Sequence, residues 1–252
     1  MHMKPPIGAT LDMSHPLARG LVGAWLFNEG GGTILHDIVG NTQLTRAASA
    51  SWASDGSLFN NAQNGLSSLA TTSGGGFTIA GSVRINNKNI YHDDGICGRE
   101  NSIDGDGYQV WLDQFGGTKR WGIHVNNTTA VYSTSLLEYG CWYSFALSAG
   151  PMGWQIYVNG EAIITSGIAQ DVNAITPHRF FSTINATAKA STANHGHYFL
   201  HDGALAESAL KELSLDPYQA FRPKKRTYYI PSGTPVYRYL GPYGTLSYYR
   251  IN

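Results

Sequence analysis

Charged residues are scarce in this chain, and neither sign is in excess. Lys and Arg number 17, Asp and Glu number 17, and together they make up 13% of the 252 residues, against about 25% in a typical soluble domain. A general nucleic-acid-binding protein needs a basic surface, so a net charge of zero argues against that class. Because 42% of the residues are hydrophobic, the chain can still bury a core, which excludes wholesale disorder.

Long apolar runs and cysteines are also few. No stretch approaches the roughly 18 apolar residues of a membrane-spanning helix, so we expect no membrane partner. The N-terminal segment is interrupted by Pro5, Pro6 and Pro16 and has no apolar core of a secretory signal, so we expect no classical signal peptide. Cys97 and Cys141 are too few for a disulfide framework or a zinc site, and we interpret them as two half-buried thiols.

Glycine and aromatic residues are abundant instead. The chain has 30 Gly, 15 Tyr and 6 Trp, a composition that favours strands and turns over helices. The length suits one large β-domain. Three zones differ in composition: a proline-containing arm at 1–20, a middle zone at 21–221 in which short apolar runs alternate with turn residues, and a Tyr-rich basic tail at 222–252.

The middle zone carries the pattern of β-strands. The predicted strands are Phe77–Ile85, Tyr108–Phe115, Arg120–Asn126, Trp142–Leu147 and Trp154–Val158. In the first three, apolar residues recur at every second position, which places them on one face of a half-buried strand. One short helix is predicted at Glu207–Leu213. Strands at this spacing, with turns between them, predict an all-β sandwich or jelly roll.

Several segments of the middle zone resemble, in the same order, the motifs of a known family. The segments are Gly20–Thr33, Phe77–Ile85 with Ser82 where the family usually has Trp, Trp142–Leu147, Trp154–Gly160 and Ala204–Leu213. The family is the laminin-G-like branch of the concanavalin A-like lectin/glucanase superfamily, and the resemblance covers roughly residues 18–221. It implies a jelly-roll sandwich of two antiparallel sheets, with residues 1–20 and 222–252 as extended arms.

The segments on either side of the middle zone narrow the class of proteins that the chain resembles. Residues 4–19 and the segment Asp216–Pro223 are similar to those around such domains in tailed-bacteriophage and prophage proteins. This implies a bacteriophage virion structural protein, assembled in the host cytoplasm, and we expect a non-enzymatic, homo-oligomeric head-surface decoration or accessory protein. A host-adhesion carbohydrate-binding module of a tail or fibre is the first alternative. A fold by itself does not determine function, so both rest on the resemblance.

A glycoside hydrolase is the second alternative, because some members of the superfamily are glucanases. A retaining glycosidase needs two carboxyl groups about 5–5.5 Å apart, and the glucanase signature Glu-x-Asp-x-x-Glu is absent. Glu100, Asp104 and Asp106 have the nearest spacing, but they lie among Gly and Asn residues typical of a loop. We therefore predict no catalytic residues.

Acidic residues next to glycines give a weak indication of calcium. Asp104 and Asp106 flank one glycine, and Asp93 and Asp94 precede another. Such carboxylates suit a calcium site at a loop edge, as in many laminin-G-like domains. Asp-Gly pairs are also typical of hairpin turns, so both interpretations stay open, and we predict no other cofactor.

Three histidines fall close together near residue 200. His195 and His197 have the spacing of a chelating pair on one strand, and His201 follows. A metal site needs a third ligand, and none is evident in the sequence. We therefore interpret them as strand or surface histidines.

The solvent face of the predicted sheet offers chemistry that suits a sugar. An exposed Trp stacks on a pyranose ring, and Asn, Asp and Arg neighbours bond to its hydroxyl groups. The candidates for binding bacterial surface glycans are the polar members of the alternating strands: Arg84, Gln109, Trp111, Asp113, Arg120, His124 and Asn126. The alternative is a structural face in which another loop or a neighbouring subunit covers Trp111.

The tail differs from the rest of the chain in charge. Residues 1–221 carry 11 basic and 17 acidic side chains, whereas residues 222–252 carry six basic and no acidic ones, together with seven of the 15 Tyr. Aromatic rings are enriched at interfaces, so we predict an assembly arm that contacts other copies of the chain and other virion proteins. Its candidate residues are Arg222, Lys224, Lys225, Arg226, Tyr228, Tyr229, Tyr237, Tyr239, Tyr243, Tyr248 and Tyr249. The alternative is that the tail folds back on its own sandwich.

Overall fold

Antiparallel strands dominate the structure, a computed structural model. The residues that it describes are 4–40, 42–46, 50–60, 66–67, 76–86, 94–100, 107–115, 118–125, 131–167, 178–180, 193–222, 237–240 and 246–249. The all-β sandwich expected from the strand pattern is confirmed. In this part of the chain, no helix is both long and apolar enough to cross a membrane.

The strands are numbered in chain order. They are β1 (Thr10–Leu11), β2 (Leu21–Trp25), β3 (Ile34–Leu35), β4 (Leu44–Thr45), β5 (Ala50–Trp52), β6 (Leu58–Asn60), β7 (Leu66–Ser67), β8 (Phe77–Ile85), β9 (Asp94–Glu100), β10 (Gly107–Phe115), β11 (Thr118–Val125), β12 (Val131–Tyr132), β13 (Trp142–Gly150), β14 (Gly153–Val158), β15 (Glu161–Ser166), β16 (Arg179–Phe180), β17 (Ala193–Asp202), β18 (Phe221–Arg222), β19 (Tyr237–Leu240) and β20 (Leu246–Tyr249). The helices are a short 3₁₀-helix at Pro16–Ala18 and α1 at Glu207–Leu215.

Two large sheets form the sandwich. The eight-stranded sheet has the order β15-β14-β13-β8-β17-β6-β5, and β2 also pairs with β17. The six-stranded sheet has the order β12-β11-β10-β9-β16-β7. Alternate residues of both sheets point inward and form one apolar core, in which Trp25, Trp121 and Trp154 are at most 1% exposed. Burying side chains of this size contributes about 1.5–3 kcal/mol each.

The predicted strands lie close to the observed ones. Phe77–Ile85 has the same bounds in the structure, and the other four predicted strands are found within three residues of their expected ends. The helix begins at Glu207 as predicted and ends two residues later, at Leu215. The sequence placed His195 and His197 on a strand without giving its bounds, because the His and Asn residues of β17 do not alternate with apolar ones.

On the outer face of the eight-stranded sheet, side chains of neighbouring strands lie side by side in rows that run across the strands. Across β8 and β13 these rows are Thr78–Ser148, Ala80–Ala146, Ser82–Ser144 and Arg84–Trp142. Leu210 and Leu213 of α1 pack against the alanine row in a second apolar cluster. The expectation that β8 is half-buried is therefore wrong for Thr78 and Ala80, which are 0% exposed, because the segment that leads into α1 and α1 itself cover them.

The N-terminal arm lies against the sandwich of its own chain. The ammonium group of Lys4 donates to the backbone oxygens of Phe27 and Gly56, both at 2.9 Å. Leu17 is buried, and β1 pairs with β18 at the start of the tail. The described part of this arm is thus held in place by intrachain contacts rather than extended away from the body.

The tail contains a short hairpin. β19 and β20 pair antiparallel, with Tyr237 opposite Tyr249 and Tyr239 opposite Ser247.

The structure also corrects the interpretation of the cysteines as half-buried, because Cys97 is fully buried whereas Cys141 is exposed. Burial in the apolar core raises the pKa of the Cys97 thiol, which keeps it protonated and unreactive.

Candidate functional site

The predicted sugar-binding face lies on the outer side of β10, β11 and β12. Tyr108 and the alternate residues after it point into the core, so Gln109 and Trp111 point outward. The strand register places Gln109 opposite His124, and Trp111 opposite Gly122, which itself lies opposite Tyr132. The structure thus brings together Gln109, Trp111, Arg120 and His124 from the predicted set, and adds Tyr132.

Trp111 is buried, with 6% of its surface exposed, so the prediction of an exposed Trp is wrong. The glycine opposite it on β11 accounts for part of this burial. A Cβ at Gly122 would lie 2.7 Å from Trp111 Nε1 and 3.1 Å from Tyr132 Cε1, so the two rings close over the space that a side chain would fill. Their centroids are 6.3 Å apart at an interplanar angle of 80°, an edge-to-face contact.

The exposed aromatic ring of this face is Tyr132, at 37% exposure. The guanidinium carbon of Arg120 lies 3.9 Å from the centroid of the Tyr132 ring, a cation–π contact that fixes both side chains. Sequence reasoning missed Tyr132 because β12 is two residues long and shows no alternation. The signal that identifies it is its register opposite Gly122.

Polar side chains surround the aromatic pair. The His124 ring is half-buried and lies 6.0 Å from the Trp111 ring, and Gln109 is 5% exposed. Asp113 lies opposite Arg120 in the strand register, whereas Asn126 falls outside the described residues. The arrangement is one exposed ring, Tyr132, with a cation against it and a half-buried imidazole beside the buried Trp111, which suits a ligand with one apolar face and several hydroxyl groups.

Arg84 does not belong to this face, because it lies on β8 in the other sheet. Its guanidinium forms an ion pair with Asp55 at 3.1 Å and lies 5.3 Å from the centroid of the Trp142 ring. The apolar residues of β8 point into the core, so its polar residues point away from the six-stranded sheet. This corrects the grouping of Arg84 with the β10 and β11 residues.

The calcium hypothesis stays a prediction. Asp93, Asp104 and Asp106 lie outside the described residues, and Asp94 begins β9 at the edge of such a segment. Within the described ranges, no three His, Cys, Asp or Glu side chains lie close enough together to hold a metal ion.

The three histidines of β17 are buried, and each has a hydrogen-bond partner at Nδ1. His195 contacts the Tyr198 hydroxyl at 3.1 Å, His197 the Tyr218 hydroxyl at 2.9 Å, and His201 the backbone oxygen of Arg19 at 3.4 Å. Burial lowers the pKa of His195 and His197 to about 3 and that of His201 to about 4. They are strand histidines, as predicted, but none of them lies on the surface.

The proposed assembly residues are only partly described. Arg222 lies opposite Thr10 in the β1–β18 pair, and Tyr237, Tyr239, Tyr248 and Tyr249 lie in the β19–β20 hairpin. The other members of the set fall outside the described residues: Lys224, Lys225, Arg226, Tyr228, Tyr229 and Tyr243. Whether the tail contacts other chains stays a prediction.

The comparisons with known proteins found similar solved structures but no similar sequences. No family model matches the chain, and no curated protein matches it. A Trypanosoma rangeli sialidase in complex with sialic acid matches with a TM-score of 0.62 and 17% identity, over 80% of this chain and 33% of that chain. This chain therefore spans about a third of the sialidase.

Two smaller structures match over nearly their whole length. Domain 4 of AbnA, a GH43 extracellular arabinanase from Geobacillus stearothermophilus, in complex with arabinotriose, has a TM-score of 0.59 and 14% identity over 77% of this chain and 98% of that chain. The CBM40 of the Ruminococcus gnavus IT-sialidase, bound to α2,3 sialyllactose, has a TM-score of 0.51 and 10% identity over 63% and 96%.

These matches define a class: the chain is a β-sandwich of the jelly-roll kind, shared with proteins that have been solved in complex with sugars. At these identities the likeness concerns the fold alone. The three structures are not bacteriophage proteins, so the virion role remains a hypothesis drawn from the flanks.

Proposed function

We propose that this protein is a non-catalytic carbohydrate-binding module that holds a glycan on the outer face of β10, β11 and β12. The observation that carries the proposal is Tyr132, an exposed ring with Arg120 stacked on it and Trp111 edge-on behind it. A ring held from two sides is a rigid platform, so little side-chain entropy is lost when a ligand binds.

The chemistry of this face fits a sugar. The apolar face of a pyranose or furanose ring would stack on the side of Tyr132 that Arg120 does not cover, and Arg120 and His124, both on β11, supply hydrogen-bond donors for its hydroxyl groups. The fold supports the proposal, because two structural neighbours of similar size were solved with arabinotriose and α2,3 sialyllactose. The sequence supports a non-catalytic role, because it has no Glu-x-Asp-x-x-Glu signature for paired carboxyl groups.

The test is binding by the Tyr132→Ala variant. Wild-type protein is screened on a glycan array and titrated by calorimetry with the strongest ligand, with arabinotriose and with α2,3-sialyllactose. Loss of one stacking contact of about 1.4 kcal/mol weakens binding about tenfold. Trp111→Ala is the weaker test, because this ring is 6% exposed and its loss also destabilises the sheet.

Met152→Ala is the matched control, since Met152 is an exposed apolar residue in the turn between β13 and β14 of the other sheet, and its loss should leave the affinity unchanged. If the wild-type protein binds no glycan, or if Tyr132→Ala binds as tightly as wild type, the proposal is wrong.

We propose as a second function that the protein is a head-surface decoration or accessory protein of a bacteriophage virion, with the tail as its assembly arm. This rests on the resemblance of the flanks and on the division of charge between an acidic body and a basic tail. The β1–β18 pair fixes where the tail leaves the body. A basic arm that starts from a fixed point suits an acidic surface on a neighbouring copy or shell protein.

Deleting residues 223–252 is expected to abolish incorporation into particles while the body keeps its circular dichroism spectrum. The measurement is mass spectrometry of purified particles produced with the full-length or the shortened protein. Equal incorporation of both forms would overturn the assembly role of the tail.

A further inference from the structure

A pocket of about 290 Å³ opens on the outer face of the eight-stranded sheet, at the C-terminal end of α1. Its floor is a single cross-strand row of Ser144, Ser82 and His197, which lie side by side because Ser82 pairs with both neighbours. The alanine row next to it lies beneath α1. Because α1 ends at Leu215, the helix does not extend over the polar row, and the pocket forms above it.

The floor of the pocket carries polar groups whose hydrogen bonds are incomplete. Ser82 Oγ and the Tyr218 hydroxyl lie 3.1 and 2.9 Å from His197 Nδ1. The second ring nitrogen, His197 Nε2, and the hydroxyl of Ser144 are buried and have no hydrogen-bond partner. Leaving such groups unpartnered is costly. Ser144 lines the pocket and is half-buried, and pairing of its hydroxyl with a ligand there requires the side chain to turn about its Cα–Cβ bond.

One wall of the pocket is the ring of Trp142, and the chain fixes its position. Arg84 lies 5.3 Å from the ring centroid and is held in turn by Asp55 at 3.1 Å. On β17, a Cβ at Gly196 would lie 3.3 Å from Trp142 Cζ3 and would overlap the Ser82 hydroxyl. Glycine at this position therefore allows the ring to approach the floor, and the result is a rigid aromatic surface beside a polar one.

The pocket lining is uncharged. None of its residues is Asp, Glu, Lys or Arg, and Asn159, Ser214 and Tyr218 add further neutral polar groups. Burial, and to a smaller extent the nearby Lys4, lower the pKa of His197 to about 3, so its imidazole is neutral at ordinary pH. The lining itself therefore offers a charged ligand no ion-pair partner.

We infer that this pocket binds a single neutral sugar ring, with one face of the ring against Trp142 and its hydroxyl groups paired with Ser144 and its neighbours. The volume is at the lower end of the range for ligand pockets, about 300–1,000 Å³, which suits one ring rather than a chain. The pocket lies on the opposite sheet from Tyr132, so this inference does not depend on the proposed glycan face.

The experiment is a titration of ¹⁵N-labelled full-length protein followed by amide chemical shifts. The probes are D-glucose, D-galactose, D-mannose and L-arabinose, with D-glucuronate as the charged counterpart of glucose. With at least one neutral sugar, the amides of Ser144, Asn159 and Gly196 are expected to shift and to saturate, whereas glucuronate is expected to leave them unchanged.

Ser144→Ala is the decisive variant. Its hydroxyl has no partner in the unliganded protein, so the substitution should leave the melting temperature unchanged or slightly higher, while the affinity falls about tenfold with the lost hydrogen bond. Tyr132→Ala is the control for the other site and should bind the sugar at this pocket as wild type does.

The possible outcomes separate the two sites. Shifts confined to Gly122 and its neighbours would support the proposed glycan face and overturn the pocket. Saturable shifts at Ser144 and Gly196 that Ser144→Ala weakens would support the pocket even if Tyr132 has no role. No saturable shift with any neutral sugar, equal binding by Ser144→Ala, or equal binding of glucuronate would overturn the inference.

Discussion

The free energy of unfolding is expected to fall by about 6 kcal/mol between about pH 7 and about pH 5, a consequence of proton uptake by the three buried histidines of β17 in the unfolded chain. This loss is large compared with the total stability of a domain, about 5–15 kcal/mol. Urea unfolding followed by tryptophan fluorescence across this pH range measures it directly.

Each of the three histidines is enclosed in a different way. His195 faces Tyr198, whose hydroxyl donates to the Ile96 backbone oxygen at 2.9 Å. His197 lies between two hydroxyl groups on the outer face, and His201 contacts the backbone of Arg19. For all three, burial is the main cause of the lowered pKa, to about 3, about 3 and about 4.

The direction of the pH effect follows from proton counts. The folded-state pKa values lie below the ordinary value of 6.5, so between about pH 6.5 and about pH 4 the unfolded chain binds protons that the folded chain does not. The contribution of these histidines to stability therefore rises with pH in this window and is nearly constant above about pH 7. From about pH 7 to about pH 5 each histidine contributes about 2 kcal/mol, and most carboxyl groups remain ionised throughout.

Substituting one histidine at a time measures the share of each in the pH-dependent loss of stability. His201→Gln should reduce the pH-dependent loss by about a third, because it removes one of the three buried imidazoles. A pH-independent unfolding free energy in the wild-type protein would mean that these imidazoles accept protons in the folded state, contrary to their burial.

Local patterns in the sequence account for most of the fold. The core-facing residues of β8, β10 and β11 are the ones that the alternation predicts, because side chains on a strand alternate faces regardless of the rest of the structure. Strands of two residues, such as β12, carry no such period. The cover provided by α1 on β8 depends on residues more than 100 positions apart, so alternation cannot reveal it.

The candidate sites depend on contacts between different strands, which the alternation of residue types along a single strand does not reveal. Trp111 falls on the predicted face, yet its burial depends on Gly122 and Tyr132 from two other strands. Arg84 shares the polar pattern of Trp111, but it lies on the other sheet, and no periodicity distinguishes one sheet from another. The pocket at Ser144 needs the register of three strands and the end of a helix at once.

The hairpin between β13 and β14 should be the position at which a single added methyl group is most damaging. Gly153 closes this hairpin opposite Gly150, and its φ of +112° is a conformation that side chains rarely adopt. A Cβ there would overlap the Ser166 backbone oxygen and lie 2.9 Å from Gly167 Cα. Both neighbours are backbone atoms, so relief requires the end of β15 or the hairpin to move.

Movement of Gly153 would be transmitted to the core, because the next residue is Trp154. This ring is fully buried, with its centroid 5.7 Å from that of Phe77 and 5.2 Å from that of Tyr108. The core is close-packed and has no space to absorb a displaced indole. The Gly153→Ala variant should therefore lose about 3–5 kcal/mol, the sum of backbone strain and poorer packing.

The Gly30→Ala variant is the control that separates the cost of backbone strain from the cost of steric overlap. Gly30 also has a positive φ, of +67°, but a Cβ there would meet no atom within 4 Å, so its substitution should cost only about 1–2 kcal/mol of strain. At about 2–4 °C per kcal/mol for a domain of this size, the Gly153→Ala variant should melt roughly 10 °C below wild type and well below the Gly30→Ala variant. Equal melting temperatures for the two variants would show that β15 yields at no cost and that the hairpin does not hold Trp154 in place.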